Sequence, residues 1–142
     1  MEKFNEILEI LRKEVKPSFG CSGPIGAAIA ACEAANAAGG SVREIHALID
    51  KDMCTKNSDV GIPPTGIKGM RSALLVGAVC GKAGQGLNVL ADADDAAVAG
   101  ALEHADEIIV DVQPDWVCEK IGVYTDVTVI SDCGKGRGCG DC

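Results

Sequence analysis

Four aromatic rings in 142 residues, Phe4, Phe19, Trp116 and Tyr124, constrain this chain more than any other feature of it. A core without rings must be filled by Ala, Val, Ile and Leu, and the 18 glycines let backbones approach closely. Residues 24–38 carry this furthest. Ala27, Ala28, Ala30, Ala31, Ala34 and Ala35 are strong helix formers with almost no bulk, so they predict a helix that packs very close to its neighbours. Ser22 or Gly23 can cap it, Pro24 fits its first turn, and Gly39-Gly40 end it.

Other elements follow from periodicity. Phe4, Ile7, Leu8, Leu11 and Val15 stand at helical spacing over residues 2–16, and Pro17 stops that helix. Alternation predicts strands over 42–50, 107–112 and 121–131, with Pro114-Asp115 as a turn. Residues 51–61 read as a polar loop. Ile62-Pro63-Pro64-Thr65-Gly66 reads as a stiff turn leading into a helix over 67–80, and a further helix spans 94–104. The order is α-α-β-α-α-β-β, one α+β domain over residues 1–131 with Ala/Gly-rich helices packed on a small sheet. The Cys/Gly-rich tail, 132–142, has no apolar periodicity and is expected to lie outside the core.

Charge excludes several function classes. The net charge is −8, and nine acidic residues fall between Ala83 and Glu119 with no Lys or Arg among them. Nucleic acid needs a basic footprint and an anionic membrane a polybasic one, and neither is present. Apolar runs such as 73–80 are too short to cross a bilayer, and the first residues lack the form of a signal peptide, so a cytoplasmic location is expected.

In that compartment eight cysteines point to metal binding or catalysis rather than disulfides. Cys32, Cys80 and Cys118 lie in apolar patterns and read as buried structural thiols. Cys21, Cys133, Cys139 and Cys142 lie among Gly, Ser and Asp, where a thiol is reachable. Cys21 stands just before a helix start, where the dipole and free N–H groups favour the thiolate that a nucleophile or metal ligand needs. The same loop also reads simply as a helix cap. Cys133, Cys139 and Cys142 form a C-x5-C-x2-C array in a Gly-rich segment that could wrap a zinc ion or an iron–sulfur cluster, with Cys21 as a fourth ligand. The alternative is an uninvolved terminus. Between them, Lys56, Asn57 and the Thr65-Gly66 turn offer charge, amide and backbone N–H groups to a small anionic substrate, or form a solvated loop. His46 reads as the outward face of a strand and His104 as a surface residue at a helix end.

The stretches 17–24, 56–69, 86–90 and 124–129 together carry a family likeness. They resemble the N-terminal part of the L-cysteine desulfidase family, relatives of the iron–sulfur L-serine dehydratase alpha domain, over residues 5–131. The resemblance implies a [4Fe-4S] cluster held by three cysteines, its fourth iron open as a Lewis acid toward the substrate's β-thiol or β-hydroxyl. It implies β-elimination from a small amino acid to pyruvate and ammonia, with sulfide when the substrate is cysteine. Cys21 takes the place of one cluster ligand, while Lys56, Asn57, Thr65 and Gly66 match the substrate-pocket motifs. Two features depart from the family. Gly23 stands where its members usually have Glu, and their other cluster cysteines lie in a longer C-terminal part. The resemblance therefore implies one component of a lyase, completed by a second subunit or by a homo-oligomer. The alternative is a metal-binding or small-molecule-binding module derived from that family, without catalysis.

Overall fold

The computed structural model describes residues 2–15, 21–62, 65–116 and 124–141. The alanine-rich segment forms α2 (Ser22–Ala38), and the rest is arranged around it. Residues 23–28, Ala30, Ala31, Cys32, Ala34 and Ala38 are buried, so this helix is covered on most of its circumference. It ends at Gly39 (φ 66°) and Gly40 (φ 65°), both in the left-handed region that glycine adopts without strain.

Four strands form one sheet in the order β4-β1-β5-β6: β1 (Val42–Asp50), β4 (Ile109–Asp115), β5 (Tyr124–Ser131) and β6 (Lys135–Asp141). β4 runs parallel to β1, and the other two pairs are antiparallel. The parallel crossover carries α3 (Lys51–Lys56), the small hairpin β2 (Gly61–Ile62) and β3 (Ile67–Lys68), α4 (Met70–Cys80) and α5 (Asp95–Glu103). α2 packs on β5 and β6, and α4 packs on α2 and reaches β1 and β4. The helix-facing side chains are Ile45, Ala47 and Ile49 of β1, Val110 of β4, and Thr125, Val127 and Val129 of β5, all buried. This is the expected α+β architecture.

The tail departs from expectation. Residues 135–141 do not lie outside the core; they are the fourth strand, paired with β5 in the register Val129↔Gly136 and Val127↔Gly138. The helix-facing positions of β6 are glycines. A Cβ on Gly136 would meet the Ala38 nitrogen at 2.5 Å and the Ala34 carbonyl oxygen closer still. A Cβ on Gly138 would meet the Ala34 nitrogen at 2.9 Å and the Ala30 oxygen closer still. Missing side chains on the strand and methyls on the helix give a backbone-to-backbone contact, with no apolar periodicity to mark it. Gly77 makes the matching contact from α4, where a Cβ would lie 2.5 Å from the Ala28 Cα.

Three smaller corrections have local causes. Residues 51–56 form α3 because the Asp50 carboxylate accepts from the Asp52 and Met53 N–H groups at 3.1 and 3.0 Å, a side-chain N-cap. Pro114 does not turn the chain, because β4 is an edge strand where a missing N–H is tolerated. The helix after the Pro63-Pro64 turn starts at Met70, since Ile67–Lys68 form β3 instead; Pro63, Pro64, residues 16–20 and residues 121–123 lie outside the described residues. α1 (Glu2–Glu14) forms as expected, and its Phe4, Ile7 and Leu11, with Val15 just beyond it, remain exposed.

The turn into β6 is pinned by Asp132. Its carboxylate accepts from the Ser41 N–H at 2.7 Å, and this bond holds it below the usual carboxylate range. A depressed folded value means the contribution is present above the unfolded pKa, about pH 4, and fades as pH falls through the folded one. Asp132→Ala is therefore expected to lower the denaturation midpoint at neutral pH. The gap from the parent should close below about pH 4, read by denaturant titration across that range.

Candidate functional site

Cys21 is the N-cap residue of α2, in extended conformation (φ −70°, ψ 131°), and its side chain makes no bond to the helix N–H groups. The thiol is turned outward from the helix end instead. It donates to Asn57 Oδ1 at 3.6 Å, across 36 residues of chain. Asn57 closes α3, its own N–H and its Nδ2 both directed at the Met53 carbonyl, at 3.2 and 2.8 Å. That double anchor fixes the amide oxygen toward Cys21. Asn57 is 8% exposed and Met53 3%, while Cys21 is exposed, so a buried amide backs a reachable thiol. Gly23 makes the corner possible: a Cβ there would lie 2.6 Å from Asn57 Nδ2.

The remaining expected residues are placed as follows. Lys56, at the end of α3, is exposed. The Thr65 hydroxyl is engaged inside the hairpin turn, donating to the Ile62 carbonyl and accepting from the Ile67 N–H. Gly66 (φ 68°) supplies the left-handed position of that turn. The hairpin is tied to the α3 exit by the Gly69 N–H on the Val60 carbonyl at 3.0 Å and by the Lys68–Asp59 ion pair at 3.3 Å.

Among the described residues, Cys21, Cys133 and Cys139 do not converge on one site. Cys133 sits beside Gly40, past the C-terminal end of α2, whereas Cys21 precedes its N-terminal end. A 17-residue helix separates them by roughly 25 Å. Cys139 lies well along extended β6, at least about 13 Å beyond Cys133 by strand rise. The glycines that could have wrapped a metal are used against α2. The Cys133 thiol donates to Asp132, which pushes its pKa up. Cys142 lies outside the described residues, as does Cys118. Among the described residues no group of three His, Cys, Asp or Glu side chains could hold a metal ion. Cys32 is buried as expected, whereas Cys80 is only partly buried; desolvation raises the pKa of both thiols.

Sequence reasoning found Cys21 and Asn57 but missed Met53 as the anchor and the reason for Gly23. Neither contact has a local signal, since both join residues more than thirty positions apart or depend on the unexpected α3.

The fold and the corner define an α+β domain with one amide-backed thiol at a helix N-terminus. Comparison adds relatives but no family model, and no solved structure matches the chain. It is similar to the UPF0597 protein YhaM of Salmonella typhimurium, 41% identical over 91 residues, which are 64% of this chain and 21% of that protein. It is similar also to UPF0597 proteins of Photobacterium profundum and Parabacteroides distasonis, each 36% identical over 87 residues, 61% of this chain and 20% of theirs. The matched part thus spans about a fifth of the length of these relatives. No described helix is long and apolar enough to cross a membrane.

Proposed function

We propose that this chain is one component of an iron–sulfur β-eliminating amino-acid lyase of the L-cysteine desulfidase or L-serine dehydratase type. The observation that carries the reading is the 3.6 Å contact between Cys21 and Asn57. Two motifs that lie far apart in the sequence, and that the resemblance assigns to one site, meet at one corner of the fold.

The residues present fit part of a cluster site. Cys21 is an exposed thiol free of helix capping, suited to one iron ligand. The described residues form no group of three ligand side chains around it, so they do not supply the set. The other ligands belong to Cys118 or Cys142, a second copy, or a second subunit; relatives about five times longer than the matched stretch have ample chain to carry them. When bound, such a cluster supplies a Lewis acid that draws the β-thiol or β-hydroxyl away from a small amino acid. Asn57 holds Cys21 in position through its anchored amide, and exposed Lys56, one residue away, provides a cation for the substrate carboxylate.

The test is iron and acid-labile sulfide after anaerobic reconstitution of the full chain, followed by cysteine and serine lyase assays. Iron is expected in the parent and in Cys133→Ala, and is expected to be lost in Cys21→Ala. Iron retained by Cys21→Ala would overturn the assignment, and a parent without iron would rule out completion of the site by Cys118, Cys142 or a second copy and leave the second subunit as the source of the other ligands.

A further inference from the structure

The helices cover one face of the sheet. On the other, side chains from all four strands stand in transverse rows. The central row, in register across β4, β1, β5 and β6, reads Asp111, His46, Thr128, Arg137. An acid ends the row on one sheet edge and a guanidinium on the other. The neighbouring positions extend this polarity. Glu44 lies 2.8 Å from His46 Nε2 on the acidic side, and Lys135 stands on β6 beside Arg137. Asp126 binds Arg137, yet the Arg137 side chain keeps 69% of its surface exposed. The rows enclose an open cleft of about 470 Å³.

Such a face is complementary to itself. A two-fold axis lying above the sheet and parallel to its strands exchanges β4 with β6. It sets Arg137 of each copy over the second copy's Asp111, twice, as an isologous contact requires. Facing sheets pack about 10 Å apart, a gap that an arginine and an aspartate can close between them. The same operation covers Leu48 and Ile109, now 40% and 59% exposed on this face.

We propose that the helix-free face of the sheet is the interface of a two-fold dimer of this chain, held by reciprocal Arg137–Asp111 pairs. The inference is independent of the lyase reading, which concerns the N-terminal end of α2.

Charge reversal tests it through sedimentation or light scattering over a concentration series. The parent is expected to dimerise. Asp111→Lys sets Lys against Arg137, and Arg137→Glu sets Glu against Asp111, so each alone is expected to weaken the dimer at least about a hundredfold. An equimolar mixture of the two restores both pairs and is expected to form the heterodimer, which also shows that both variants are folded. A parent that stays monomeric at every concentration would overturn the proposal. So would a dimer that survives either reversal, or folded single variants whose mixture stays monomeric. Asp111→Lys, at a half-exposed position, gives the same reading by itself if Arg137→Glu does not fold.

Discussion

Gly138→Ala, the smallest change available at that position, is expected to destabilise the protein by about 3 kcal/mol, roughly a fifth to three-fifths of a typical domain's stability. The new Cβ would lie 2.9 Å from the Ala34 nitrogen and closer still to the Ala30 carbonyl oxygen. Both are backbone atoms of a buried helix, so no rotamer change can relieve the clash. Either β6 lifts away from α2, or the helix moves and opens its contact with α4, where Gly77 is as tightly seated. Intrinsic propensity favours alanine over glycine by at most about 1 kcal/mol, too little to offset the clash. The expected shift in melting temperature is on the order of 10 °C downward. Two glycines calibrate the measurement. Gly134→Ala meets only the Ala38 oxygen, at 3.3 Å, and should cost far less. Gly100→Ala in α5 meets nothing within 4 Å and should stabilise by about 0.5–1 kcal/mol. If all three alanines behaved alike, the close strand–helix contact would be wrong.

The same contact explains where the sequence was readable and where it was not. β1 and β5 announce themselves because the buried positions Ile45, Ala47, Ile49, Val127 and Val129 recur at every second residue, mostly with polar residues between them. α2 is marked by its alanines and the glycines after it. β6 also alternates, but between glycine and Lys135, Arg137 and Cys139, so its buried face contributes no hydrophobicity to any pattern. Its partner surface, the alanine ridge of α2, was visible, and glycine at every second residue was the complementary signal. α3 was hidden for another reason: six residues are too few for periodicity, and its existence rests on the Asp50 cap.

The candidate site divides along the same line. Motifs located Cys21 and Asn57, whereas their contact depends on how α3 is hung from β1. The C-x5-C-x2-C spacing gave no hint of a strand, because cysteine spacing alone does not say whether the chain curls or, as over residues 135–141, a sheet holds it extended. The polar row on the open face was legible only at His46, read as facing outward. Asp111 comes from β4, a neighbour of β1 by topology and not by sequence, and Arg137 from β6, a strand with no apolar pattern to mark it.

Gly23→Ala is expected to have the other large effect, and it separates packing from chemistry. A methyl 2.6 Å from Asn57 Nδ2 displaces an amide that cannot easily turn, because its Nδ2 and its backbone N–H are both committed to the Met53 carbonyl. The loss should be about 2–3 kcal/mol, from overpacking together with a strained or broken buried hydrogen bond. Asn57→Ala alone should cost about 1–2 kcal/mol for the lost bond and the space it leaves. In the double variant the methyl introduced by Gly23→Ala occupies the space that the amide vacates, so the two losses should not add. The shortfall should be at least about 1 kcal/mol, well beyond the scatter of independent sites. Stability recovers in that variant, but the contact to Cys21 does not, since no amide oxygen remains to accept from the thiol. Iron content and lyase activity should therefore stay low in the double variant while its denaturation midpoint rises above that of Gly23→Ala. Additive losses would mean that Gly23 and Asn57 do not share one space. Recovery of iron and activity together with stability would mean that Asn57 only fills the corner and does not position Cys21.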